Sequence, residues 1–104
     1  MIIFLLTILA LLIITVSGCK QSVLKTEEIK ELCINECLKQ KDLINLSSQC
    51  LLNPIPETNW VCDIAHNPRT EEDNIPDNQC SSYREGKAKH FIEVTPECIF
   101  IGAN

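Results

Sequence analysis

The amino-acid sequence predicts a small, disulfide-rich α+β domain in which one N-terminal helix packs on a short antiparallel sheet. Three observations carry this expectation. Of seven cysteines in 104 residues, six lie beyond residue 19, at positions 33, 37, 50, 62, 80 and 98, an even set that can close three bridges. Apolar residues recur at helical period from Thr26 onward, and they alternate at strand period in Asn59–Ala65 and again after Ala88. The folded part is also small enough that a hydrophobic core usually needs such cross-links, each contributing about 2–4 kcal/mol.

The helix is predicted from Thr26 to Asp42 or beyond. Thr26 offers a capping hydroxyl, and Glu27 and Glu28 complement the positive end of the helix dipole. Ile29, Leu32, Cys33, Cys37, Gln40 and Ile44 share one side, while Lys30, Glu31, Lys39 and Lys41 lie largely away from it. Cys33 and Cys37, four apart, therefore point the same way, toward whatever the helix packs against. A second helical segment through Leu46–Leu52 is compatible with the pattern, and Asn53-Pro54-Ile55-Pro56 must end it.

Beyond the prolines, Trp60, Cys62 and Ile64 fall on one face of a half-buried strand, with Trp60 as a core anchor. A strand folding back along the helix returns Cys62 near the helix end, which makes Cys50 to Cys62 the preferred bridge. His66 to Asn74 reads as a solvated acidic loop, with His66 capping a turn. Ile75 to Gly86 has the proline-first, glycine-last asymmetry of a short helix or an irregular segment, tied to the body by Cys80. Ala88–Thr95 and Cys98–Ile101 form a hairpin around Thr95-Pro96-Glu97, and Phe100 is expected to add to the core.

The formal charge of -5 has one source. Segments 20–42 and 84–97 are each balanced, whereas Glu57, Asp63, Glu71, Glu72, Asp73 and Asp77 face Arg69 alone in segment 57–77. No generally basic face exists for nucleic acid, which is excluded as an expected partner. Arg84, Lys87, Lys89 and His90 form a compact basic group. Charge compensation with the neighbouring acidic loop is the preferred reading of it, ahead of contact with anionic headgroups or a wall polymer.

Every charged side chain lies after Val16-Ser17-Gly18-Cys19, and Ile2–Val16 before it is an almost unbroken apolar run. These residues resemble the lipobox of prokaryotic lipoproteins, where small residues precede a cysteine that is lipidated and becomes the mature N-terminus. The resemblance covers residues 16 to 19. It implies a signal peptide at 1–18 and a lipidated Cys19 with a short tether at 19–25, and the cysteine set then places the disulfide-stabilised domain at 26–104. It also implies an exported protein anchored to the outer face of a membrane through lipid. Six tether residues from Lys20 to Lys25 reach at most about 20 Å, so the domain is expected close to that surface. Assigning Cys19 to lipid leaves six cysteines that can pair, and disulfides persist in oxidising compartments, so the anchor and the cysteine count support each other. The alternative is a retained N-terminal transmembrane anchor, for which Lys20 and Lys25 on the C-terminal flank would weakly favour a cytoplasmic domain.

Candidate chemistry is sparse. Cys33-x3-Cys37 lacks the knuckle spacing and second pair of a structural zinc site. Glu71, Glu72, Asp73, Asp77 and Asn78 offer hard oxygens but match no calcium loop. His66 and His90 are the two imidazoles, and neither sits in a nucleophile motif. Asn45-Leu46-Ser47 is a glycosylation sequon at Asn45. No catalytic residue and no cofactor is predicted. The first functional expectation is a binding or envelope-structural module meeting a protein or envelope partner. The second is metal or redox handling by the cysteines with His66 or His90, and a cell-surface enzyme is the third.

Overall fold

The computed structural model describes residues 24–104. The expected signal peptide at 1–18, the expected lipidation at Cys19 and the expected tether as far as Val23 lie outside them. A helix, α1 (Thr26–Lys41), packs on a four-stranded sheet of order β1-β2-β3-β4, with β1 Cys50–Leu52, β2 Trp60–Ile64, β3 His90–Val94 and β4 Phe100–Ala103. This is the small disulfide-rich α+β domain that the sequence predicts. Among the described residues no helix is long and apolar enough to cross a membrane.

Helix α1 begins one residue earlier than the capping argument places it. Lys25 occupies the cap position without a side-chain cap hydrogen bond, so the Thr26 hydroxyl is not the cap, and Asp42 closes the other end. Its buried residues are Ile29, Cys33 and Cys37. Leu32 and Ile44, expected on the same side, are 42% and 51% exposed, because the buried stripe is narrow and Ile44 lies beyond the helix end. The chain does not resume a helix at Leu46. It extends instead into β1, where Leu51 is buried in the core.

The outer strand pairs, β1 with β2 and β3 with β4, are antiparallel, whereas the central pair, β2 with β3, is parallel. The expectation of an antiparallel sheet is therefore corrected at its centre. Segment 65–89 separates the two strands, long enough for the crossover that parallel neighbours require. It carries two 3-10 turns, Glu71–Asn74 and Pro76–Asn78, and a one-turn helix α2 at Ser81–Arg84. The β3–β4 hairpin turns at Thr95–Ile99, where Cys98 takes a left-handed backbone (φ 67°) and its N–H donates to the Thr95 carbonyl at 2.8 Å. Glycine commonly fills such a position. Here a side chain is needed, because Cys98 is bridged to α1.

The disulfides are Cys33–Cys62, Cys37–Cys98 and Cys50–Cys80. The expected Cys50–Cys62 bridge is wrong for a steric reason that follows from strand alternation. Cys62 faces α1 and meets Cys33 in the main core, while Cys50 packs with Val61, Cys80 and Phe91 across the sheet. Two bridges thus rivet α1 to β2 and to the β3–β4 turn. The third ties β1 to the entrance of α2 on the opposite face.

The main core lies between α1 and the sheet, and contains Ile29, Leu51, Ile55, Ile64, Ile92 and Val94 with the four sulfurs of the two rivets. Trp60 packs at its margin and stacks on His90, ring centroids 4.6 Å apart, so it is an edge residue of the core rather than its anchor. Phe100 does not join the core. It is 36% exposed, with the Lys30 ammonium 4.1 Å above its ring, a cation–π contact that pairs α1 with the sheet edge.

Candidate functional site

Side chains alternate across a sheet, so the neighbours of the core residues on β2 and β3 face away from α1. Those neighbours are Val61 and Asp63 on β2 and Phe91 and Glu93 on β3. The parallel register sets Val61 beside Phe91 and Asp63 beside Glu93. The crossover segment arches over this face and closes a cleft of about 350 Å³, completed by Arg69, Gln79, Cys80, Tyr83 and Arg84. Tyr83 and Phe91 meet edge to face, 5.2 Å between centroids. The cleft therefore combines two aromatic rings, two guanidinium groups and a carboxylate pair.

The two carboxylates are unequal. Glu93 accepts an ion pair from Arg69 at 2.9 Å. Burial pushes the Asp63 carboxyl up to about 7, reinforced by the negative charge of Glu93, against the opposing pull of the Ile64 N–H and Arg69. Its Oδ1 accepts the Ile64 N–H at 3.1 Å. Among the described residues one group of three His, Cys, Asp or Glu side chains brings its ligand atoms within 4.8 Å of one another, and it is Cys50, Asp63 and Cys80. Both sulfurs belong to one disulfide, so the group offers no thiolate to a metal. What it does offer is a carboxyl group that titrates near neutrality beside an S–S bond.

Arg69 is aimed into the cleft by its own loop. Its Nε donates to Asn74 Oδ1 at 2.8 Å and its Nη2 to the Asp73 carbonyl at 3.3 Å, while Nη1 reaches Glu93. That loop is organised on Asp73, whose side chain is fully buried. The Thr70 and His66 N–H groups donate to Asp73 Oδ2 at 2.8 and 2.9 Å, and the Ser48 hydroxyl and His66 Nδ1 donate to Oδ1 at 2.8 and 2.9 Å. Burial alone would raise the Asp73 pKa, but these donors outweigh it and hold the carboxyl well below its usual range. The acidic loop is thus not simply solvated: Glu71, Glu72 and Asp77 are exposed, and Asp73 is its buried hub.

Ser48, His66 and Asp73 contain the residue types of a hydrolytic triad without its geometry. A triad histidine bridges serine and aspartate through different ring nitrogens. Here Nδ1 faces both partners, at 3.4 Å from Ser48 Oγ and 2.9 Å from Asp73, and the serine proton goes to Asp73. The arrangement holds a loop and activates no nucleophile.

The sequence-predicted candidates scatter. The six disulfide cysteines pair as above. Asn45 is exposed, and the Ser47 hydroxyl of its sequon donates to Glu72 at 2.6 Å. His66 is engaged by Asp73, and His90 stacks on Trp60 on the helix side of the sheet. The basic group divides: Arg84 lines the cleft, Lys87 pairs with Glu85 at 3.0 Å, and His90 lies on the other face. The acidic loop makes its ion pair through Arg69 with Glu93 rather than with that group. Sequence reasoning missed Asp63 and Glu93. Their signal was present, since each is a lone carboxylate inside a strand that is otherwise apolar or aromatic nearby, a position where burial shifts a pKa. Compared with protein-family models, with curated proteins and with solved structures, the chain matches none of them.

Proposed function

We propose that the chain is an exported module, held at a membrane surface by lipid on Cys19, that acts by contact through the cleft of Asp63, Arg69, Tyr83, Arg84, Phe91 and Glu93. The observation that carries this reading is the contrast between a sheet face sealed by α1 and a face whose cleft is rimmed by the exposed side chains of Arg69, Tyr83 and Arg84. Aromatic rings and arginines are the side chains that most often dominate the energy of contact sites. Three disulfides accord with an oxidising compartment, and the apolar run ending in Val16-Ser17-Gly18-Cys19 accords with export and acylation. The partner is a protein or an envelope component that presents both charge signs and an apolar group to the cleft.

Intact mass of the membrane-extracted protein tests the anchoring. The expected mass lacks residues 1–18, carries a diacylglyceryl group and is six hydrogens short of the reduced form. An uncleaved chain without lipid supports the transmembrane alternative instead. Photo-crosslinking from position 83 in the producing cells tests the contact. A discrete adduct is expected there and none from position 39 on the exposed side of α1, while equal labelling from both sites contradicts the cleft as the contact site.

A further inference from the structure

The three disulfides are not equivalent. Cys33, Cys37 and Cys62 are fully buried and Cys98 is 7% exposed, all within the main core beneath α1. Cys50 and Cys80 stand on the other face. Cys50 is partly exposed, Cys80 is buried at 2% exposure where it lines the cleft, and an oxygen of Asp63 lies within 4.8 Å of both sulfurs, so attack is open at Cys50 with Cys80 as the leaving group. That spacing is one a single water spans, which is sufficient for proton transfer to a departing sulfur.

We propose that Cys50–Cys80 is a thiol–disulfide exchange site, with Asp63 as its proton donor and acceptor and a dithiol as its co-reactant. The proposal adds chemistry to the cleft, is independent of lipid on Cys19, and moves redox handling away from His66 and His90. In the first step a thiolate of the dithiol attacks Cys50 Sγ. The S–S bond breaks, Cys80 leaves as a thiolate, and protonated Asp63 passes it a proton. In the second step Asp63, now a carboxylate, takes the proton from the remaining thiol of the dithiol, whose sulfur attacks its partner in the mixed disulfide. Cys50 departs and receives that proton. The protein disulfide gains two electrons and ends as two thiols, the dithiol is oxidised to a disulfide, and Asp63 regains a proton from solvent. Thiolates are the attacking species and protonation assists the leaving sulfur, so a group titrating near neutrality suits both steps.

The charged groups around Asp63 set when it can act. Glu93 on β3 and Asp73 in the crossover loop favour its protonated form, whereas Arg69 opposes it. Arg84, on α2, lines the same cleft. With rates normalised to the thiolate concentration of the reductant, exchange should fall as pH rises through about 7, as Asp63 loses its proton.

The test uses the oxidised full chain in detergent, treated with dithiothreitol between pH 5.5 and 8.5, quenched by alkylation and mapped by peptide mass. Cys50 and Cys80 are expected to be alkylated at least about tenfold faster than the other four. Asp63→Asn should slow that reaction about tenfold at pH 6 and abolish the normalised pH dependence. Glu93→Gln, which leaves Asp63 in place, should move the midpoint downward. Simultaneous alkylation of all six cysteines overturns the proposal. So does a pH profile unchanged in Asp63→Asn or, where that variant does not fold, a midpoint unmoved in Glu93→Gln.

Discussion

The two faces of the central sheet are built from alternate residues of the same two strands, yet they are put to opposite uses. Toward α1, Cys62, Ile64, Ile92 and Val94 are 0–1% exposed and are locked by two disulfides. One residue along the chain in each case, Asp63 and Glu93 stand in an open cleft beside the third disulfide. The difference shows how a domain with little core can carry a polar site. The rivets on the sealed face supply the rigidity, which leaves the other face free to hold a carboxyl group where burial shifts its titration. Burial of that group is tolerated because it can keep its proton.

Breaking the sealed face should have the larger consequences. Replacing Cys37 and Cys98 by Ala opens a loop of 61 residues in separation. Chain entropy alone then costs about 4.3 kcal/mol, against about 3.7 kcal/mol for the 30-residue separation of Cys50–Cys80. Lost packing of buried sulfur should widen that gap, and urea unfolding of the two double variants measures it. The same contrast holds for adjacent residues on β3. Ile92→Ala should cost about 3 kcal/mol and Phe91→Ala, on the cleft side, nearer 1 kcal/mol. Equal costs would mean that the cleft is as tightly packed as the core.

Two aspartates sharpen the comparison through pH. The Asp73 carboxyl is held below its unfolded value, so its contribution is present above about pH 4 and is lost as pH falls through that region. Asp73→Asn should cost about 2 kcal/mol at pH 7 and progressively less as pH falls below about 4. Asp63 has the opposite sign. Its folded pKa of about 7 lies above the unfolded value, so the fold binds the extra proton between about pH 4 and 7 and loses stability as pH rises through that window. Asp63→Asn should therefore stabilise the domain at pH 8, by on the order of 1–3 kcal/mol, and leave it unchanged at pH 4. Urea midpoints at about pH 2, 4 and 8 decide both, the two lower values for Asp73 and the two higher for Asp63. The smallest effect is expected at the sheet edge, where Lys30→Ala removes the contact over Phe100 for about 0.5 kcal/mol.

The helix, both central strands and the closing hairpin were legible because each has a local signal: helical period from Ile29 to Cys37, alternation at Trp60–Ile64, and a proline turn before Cys98. The bridges and the parallel pairing were not, because both depend on where distant segments meet. Cys50 looked close to Cys62 along the chain, yet strand alternation sends Cys62 toward α1 while Cys50 turns to the other face. The length of segment 65–89 was the readable clue that β2 and β3 need not form a hairpin. The cleft was hidden for a related reason. Asp63 gains its character from burial beneath the crossover segment and then from Glu93, thirty positions away and adjacent only through the parallel register. Asp73 was submerged in a run of exposed acids from which sequence alone could not separate it.

All of this depends on which cysteines are joined. Peptide mapping of the non-reduced protein, digested at a pH low enough to prevent exchange, tests it directly. Three linked species are expected, Cys33 with Cys62, Cys37 with Cys98, and Cys50 with Cys80. A Cys50–Cys62 link, or Cys50 or Cys80 joined to any of the other four cysteines, would contradict the division of the sheet into a riveted face and a face with its own disulfide.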